Sequence, residues 1–224
     1  MFNLSVVEER SLKAICDGSG NEPLIIRKGV WVAGTYPRNY KFEKFIIGPG
    51  RSFGDAFLGN LKRTFTGEKI QLVKVIPAGR SETYYAYNAL NVSVVNLERG
   101  DELSIESEHL LSFYDCDYDV KMMGTGVMSQ GGIFTTILRG RSRKSQVAIL
   151  SEGNVIQLNT PCAVDPDAYL CHTGPAPHVN TDITWRNFIG QHSGETYMFE
   201  FTTSGELVFI QPSERSGGIS LSID

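Results

Sequence analysis

Histidines, cysteines and acidic runs are the first residues to test for chemistry in this 224-residue chain. The histidines are His109, His172, His178 and His192. A cupin-type metal centre needs an H-x-H pair, a glutamate and a distant third histidine, so that imidazoles and a carboxylate converge on one ion. The chain has no H-x-H pair. Cys171 and His172, with His178 a turn away, offer a thiolate and two imidazoles, the donor set that suits zinc. Their segment is proline-rich and loop-like, so surface or hydrogen-bonded histidines are the preferred reading, and no metal centre or cofactor is expected.

Asp115-Cys116-Asp117-Tyr118-Asp119 has the opening spacing of a calcium loop. Such a loop requires glycine at its sixth position and a bidentate glutamate at its twelfth. Val120 and Gly126 stand there, and a solvated strand end is the better account. Gly48-Pro49-Gly50-Arg51-Ser52-Phe53-Gly54 follows an apolar run, as a dinucleotide loop would. Its third glycine is one residue late, its proline removes a backbone donor, and no βαβ pattern follows. No G-x-S-x-G occurs, and no serine or cysteine carries a nucleophile signature beside a histidine. The chain therefore reads as non-enzymatic.

Arg139-Gly140-Arg141-Ser142-Arg143-Lys144 is the densest basic stretch. Arg139, Arg141, Arg143 and Lys144 are the residues that would contact RNA phosphates, through contacts that weaken steeply with salt. No aromatic is interleaved to stack bases. A solvated turn capping a hairpin, with charges that keep an edge from pairing, is the simpler expectation. The formal net charge of -4 argues against nucleic-acid binding through the overall field, and no DNA partner is expected.

The elements that must position these residues are strands. Ile70-Gln71-Leu72 and Tyr197-Met198-Phe199-Glu200-Phe201 alternate, and period-two patterning implies one buried face. Val155-Ile156-Gln157-Leu158 and Leu207-Val208-Phe209-Ile210 are apolar runs of strand length. Turn formers separate the runs, and the 23 glycines are spread along the chain as tight turns between short strands require. The best helical stretch, Ala56 to Leu61, is short. Cys16, Cys116, Cys162 and Cys171 have no C-x-x-C spacing and read as small buried hydrophobes. The N-terminus is acidic, with no secretory pattern, and no run reaches the roughly 18 apolar residues of a membrane helix. The expectation is a cytoplasmic chain with no membrane insertion.

Glycine turns recur at near-equal spacing. Gly67 leads into Ile70-Gln71-Leu72, Gly131 into Phe134-Thr135-Thr136, and Gly194 into Tyr197-Met198-Phe199. Upstream anchors accompany each: Tyr40-Lys41-Phe42, Tyr118-Asp119-Val120 and Thr181-Asp182-Ile183. A weaker pair is Asn91-Val92 and Asn154-Val155. The reading is an all-β domain of three degenerate repeats sharing one core with pseudo-threefold symmetry. It covers residues 1–212, in units of about 1–88, 89–150 and 151–212, with a C-terminal tail at 213–224. Ile219, Leu221 and Ile223 alternate in that tail, which would fray or add to a sheet edge.

Two segments resemble hallmarks of one family. The first is Gly59-Asn60-Leu61-Lys62-Arg63 through Gly67-Glu68-Lys69-Ile70. The second is Ser104-Ile105-Glu106-Ser107-Glu108-His109-Leu110-Leu111-Ser112-Phe113, followed by Asp117-Tyr118-Asp119-Val120. The chain is identified on them as a member of the altered-inheritance-of-mitochondria family, in its bacterial branch, over about Pro23 to Ser213. The resemblance implies a double-stranded β-helix similar to the tryptophan RNA-binding attenuation protein, and structural rather than catalytic motifs. The function expected is a β-rich binding or scaffold protein acting through homo-oligomeric assembly or a protein partner. An RNA or small-ligand binder like its fold relatives is the alternative, and a cupin-like metal-dependent enzyme a further one.

Overall fold

The computed structural model describes residues 1–35, 40–45, 70–122, 134–180 and 198–213. Gly67, Gly131, Gly194, the Gly48–Gly54 loop, the 56–61 stretch, Thr181–Ile183, His192 and residues 214–224 lie outside them. The described residues form β-strands, with one short 3-10 turn at Ser107–His109 and no α-helix. None of their helices is long and apolar enough to cross a membrane.

The first strands are β1 (Phe2–Val7), β2 (Ser11–Cys16), β3 (Leu24–Arg27), β4 (Trp31–Gly34), β5 (Tyr40–Lys44), β6 (Leu72–Pro77) and β7 (Ser81–Tyr85). Next come β8 (Asn91–Leu97), β9 (Glu102–Ile105), β10 (Leu110–Tyr114), β11 (Cys116–Met122), β12 (Phe134–Gly140) and β13 (Ser145–Ser151). The last are β14 (Ile156–Asn159), β15 (Cys162–Val164), β16 (Tyr169–Thr173), β17 (His178–Asn180), β18 (Met198–Phe201) and β19 (Leu207–Ile210).

These strands make four antiparallel sheets and no closed barrel. Two are six-stranded, in the orders β5-β6-β3-β10-β13-β8 and β11-β12-β9-β16-β19-β14. The second order is the first with every strand advanced by six. The other sheets are shorter: β1-β2-β7-β4 and β15-β18-β17.

Apolar residues close three cores, one after another. Leu12, Ala14 and Tyr85 of the four-stranded sheet pack on Ile26, Leu111 and Leu150 of the first six-stranded sheet. The opposite face of that sheet, with Ile25, Phe113 and Ile149, packs on Ile105, Leu138 and Cys171 of the second. Tyr169 and Val208 on the far face of the second sheet meet Val164, Phe199 and Phe201 of the three-stranded sheet. Both six-stranded sheets are thus covered on both faces, which is why β10 and β13 are apolar on both sides and read as runs rather than alternations. Where the sequence reading expects one shared core, the buried apolar side chains among the described residues form three clusters in series. The apolar run 155–158 is only partly buried, with Val155 packed against the second core and Leu158 against the third. It becomes β14, an edge strand in which Ile156 is exposed.

The basic stretch does not cap a hairpin. β12 belongs to the second six-stranded sheet and β13 to the first, so residues 141–144 cross between layers. Asp115 holds the neighbouring β10–β11 corner with φ 56°, a left-handed conformation that aspartate tolerates better than most residues. Its carbonyl accepts from Arg141 N–H at 3.0 Å and its carboxylate from the Ser142 hydroxyl.

Candidate functional site

The zinc set suggested by sequence is not assembled. Cys171 and His172 are consecutive on β16, so their side chains leave opposite faces of the sheet. Cys171 lies in the core between the six-stranded sheets, and burial pushes its thiol far up. His172 points the other way, against the Phe201 ring at 5.0 Å between centroids. The Tyr169 hydroxyl lies 2.6 Å from His172 Nδ1 and 3.2 Å from the Ser104 carbonyl. Burial pulls His172 down to about 4, which keeps it neutral. His178 is exposed on β17 and lines a cleft of about 60 Å³ with Thr160, Thr173 and Glu206.

The cysteines are free. Cys16, Cys116 and Cys171 are buried, as expected, and burial pushes Cys116 up to about 12. A thiol so far above neutral pH is a poor nucleophile. Cys162 on β15 is half-buried, and burial raises it too.

The basic turn meets carboxylates. Arg139 pairs with Glu102. Arg141 reaches Glu22 at 3.0 Å, Asp115 at 3.5 Å and Asp117 at 3.9 Å. Arg143 lies 3.4 Å from Glu98. Arg141 thus joins the basic stretch to the acidic run, and Glu102 and Glu98 stand beside Arg139 and Arg143, which together weaken the positive field for phosphates. Asp117 and Asp119 follow on β11, as the solvated strand end predicts. Arg143 and Lys144 also border a groove of about 360 Å³ with Asp17, Asn96 and Gln146.

One cluster was missed by sequence reasoning. Glu106, Glu108 and His109 bring two carboxylates and an imidazole within 4.8 Å of one another. His109 Nδ1 lies 3.0 Å from the Leu150 carbonyl, so it carries the proton, and Nε2 stands 3.8 Å from each carboxylate. Two glutamates and a histidine can ligate a divalent ion. They equally form an ion-paired turn when the ring is protonated. Arg27 clamps that turn by donating to the carbonyls of Ser107 at 3.1 Å and Glu108 at 2.9 Å, and its guanidinium lies 4.5 Å from the centre of the Tyr87 ring. The sequence signal was the run Glu106-Ser107-Glu108-His109, which a search for H-x-H passes over.

The candidate interaction site is a pair of sheet edges. Among the described residues, β4 has one hydrogen-bonded neighbour, β7, and β15 has one, β18. Neither strand contains a charge or a proline, the usual protections of an edge. Trp31 is 47% exposed and Val32 56%. Gly34 is the last residue of β4, and a Cβ there would sit 2.6 Å from the Tyr40 hydroxyl. Cys171 and His172 are thus buried and the arginines of the basic turn ion-paired, while β4 and β15 present backbone and apolar side chain along their unpaired sides. That arrangement suits strand pairing.

A protein of known structure has a similar fold: protein SPYM3_0169 from Streptococcus pyogenes. It is 13% identical, with a TM-score of 0.66 over 96% of this chain and 94% of that one, a likeness that speaks to fold alone. No curated protein sequence matches the chain. A family model described as mitochondrial biogenesis AIM24 matches residues 13–213, nearly the whole length, and the chain belongs to that family.

Proposed function

We propose that this chain is a non-enzymatic β-rich scaffold that works by assembling with further copies or a protein partner. One observation carries the reading. Among the described residues, two sheets have six strands, while two others hold three and four and end in edges without charge or proline. The six-strand offset between the large sheets supports three repeated units within one domain over residues 1–212, with the tail at 213–224 outside it. A unit of that kind buries its apolar face only against a neighbour. An end unit without a neighbour is then a place for another chain.

Light scattering across a hundredfold concentration range, about the span over which a micromolar equilibrium becomes visible, tests this. The expected result is a mass above the 24.8 kDa of one chain at high concentration, or a stoichiometric partner retained on purification. A monomer at every concentration with no such partner overturns it. Salt-sensitive RNA retention lost on replacing Arg139, Arg141, Arg143 and Lys144 would move the reading to the fold-analogy alternative of an RNA binder.

A further inference from the structure

Resting on that reading, we infer that β4 of one copy pairs antiparallel with β15 of a second copy, Ala33 opposite Val164 and Gly34 opposite Ala163, completing a six-stranded sheet between chains.

The strand orders define the gap. In the first six-stranded sheet, β5-β6-β3 joins β10-β13-β8 through the β3–β10 pair. In the second, β11-β12-β9 joins β16-β19-β14 through the β9–β16 pair. Advancing the first three strands by twelve gives β17-β18-β15, which is the three-stranded sheet. Moving the last three back by six gives β4-β7-β2, which is the four-stranded sheet without β1. The two small sheets are therefore the two halves of a third copy of the same pattern. What they lack is the joining pair, β15 with β4.

The register follows from irregularities the halves share. β10 slips against β13 between Leu110 and Ser112, β16 against β19 between Tyr169 and Cys171, and β4 against β7 between Trp31 and Ala33. A bulge marks one position along a strand, so Ala33 corresponds to Ser112 and Cys171. On the other side, Ile26 faces Val73, Ile105 faces Thr136 and Val164 faces Phe199. Those partners recur at steps of sixty-three residues, so Val164 corresponds to Ile26 and Ile105. The joined sheets pair Ser112 with Ile26 and Cys171 with Ile105. Ala33 must then face Val164.

The side chains fit the same account. Leu110, Leu111 and Leu170 are 0% exposed and Tyr169 is 1%, yet their counterparts Trp31 and Val32 are about half in water. The occupant is a second copy because, among the described residues, no ladder and no core cluster connects the four-stranded sheet to the three-stranded one within a chain. Such a contact is head-to-tail, and repetition builds a closed ring or a filament.

The register puts Thr35 opposite the native Cys162, within the Cα separation a disulfide spans in an antiparallel pair. Thr35→Cys protein is oxidised and run on a non-reducing gel beside Thr35→Cys/Cys162→Ser, with light scattering on both. The expected result is a ladder of disulfide-linked chains that falls about tenfold or more in the double variant, as removal of the one partner thiol requires. A disulfide between the introduced thiol and Cys162 of the same chain overturns the inference, because the chain then closes on itself. Assembled protein with no crosslink overturns the register and leaves the scaffold reading standing. Protein that stays monomeric and uncrosslinked, without a partner, removes both. Val32→Lys guards against misfolding of the cysteine variant: native melting with at least about tenfold weaker association is expected, and unchanged association overturns the inference.

Discussion

β10 and β4 pair with their neighbours through the same bulge, yet one is sealed inside the protein and the other is half in water. β10 has ladders on both sides, to β3 and β13, and sheets over both faces. Among the described residues, β4 has a ladder to β7 alone. The two differ in position along the series of sheets. Burial here is set by what stands next in the series: Leu110 and Leu111 are sealed by neighbours on every side, while Trp31 and Val32 at corresponding positions stay about half in water.

The largest effect that can break this comparison is a truncation in the sealed strand. Leu111→Ala should cost about 2–5 kcal/mol of folding stability, read as a fall in urea midpoint, because a buried leucine leaves a cavity. Val32→Ala, at the corresponding position of β4, should cost the isolated chain less than about 0.5 kcal/mol, as surface changes do. Equal costs would mean that β4 is covered after all.

pH sharpens it next. β16, the other sealed strand, places His172 where β4 has Gly34. His172 falls from an ordinary 6.5 to about 4 on folding. The unfolded chain therefore binds the proton more tightly. The stability this implies, about 3 kcal/mol, is complete above pH 6.5 and is lost as pH falls toward 4. Denaturation midpoints measured across that window should drop for the native chain and stay flatter for His172→Phe, which copies Phe113 of β10. An identical slope in the variant would assign the acid sensitivity to other groups.

A smaller effect lies at the end of β3. Arg27→Met should cost about 2 kcal/mol, since it removes charged hydrogen bonds to two carbonyls and the contact with Tyr87. Thermal melting would read this, and an unchanged midpoint would show that the 107–109 turn holds without its clamp. The smallest effect belongs to the exposed corner. Arg139→Ala should shift stability by less than about 1 kcal/mol, because its pair with Glu102 is partly solvated. A larger loss, seen by urea titration, would make the corner a structural joint between layers rather than a surface.

Strand character was legible because it is local. Period-two runs and glycine or aspartate turns announce β structure whatever lies around them, and β18 and β19 fall on the aromatic and apolar runs read from the chain. The buried cysteines were legible for a similar reason, since a thiol without a spaced partner is a small hydrophobe. Illegible were relations between distant residues. Arg141 and Glu22 are 119 positions apart, and nothing local pairs them. The 141–144 turn looked like a hairpin cap because two strands flank it, and only the partners of β12 and β13 reveal that it changes layers.

Composition and pattern alone settled that this chain makes short strands and tight turns, because backbone preference and side-chain alternation act over a few residues. Which strands join, which apolar residues end up sealed and which stay in water at an open edge belong to the folded molecule. Hydrogen-bond ladders and layer contacts link residues dozens of positions apart, and their free energy depends on geometry that no single segment contains.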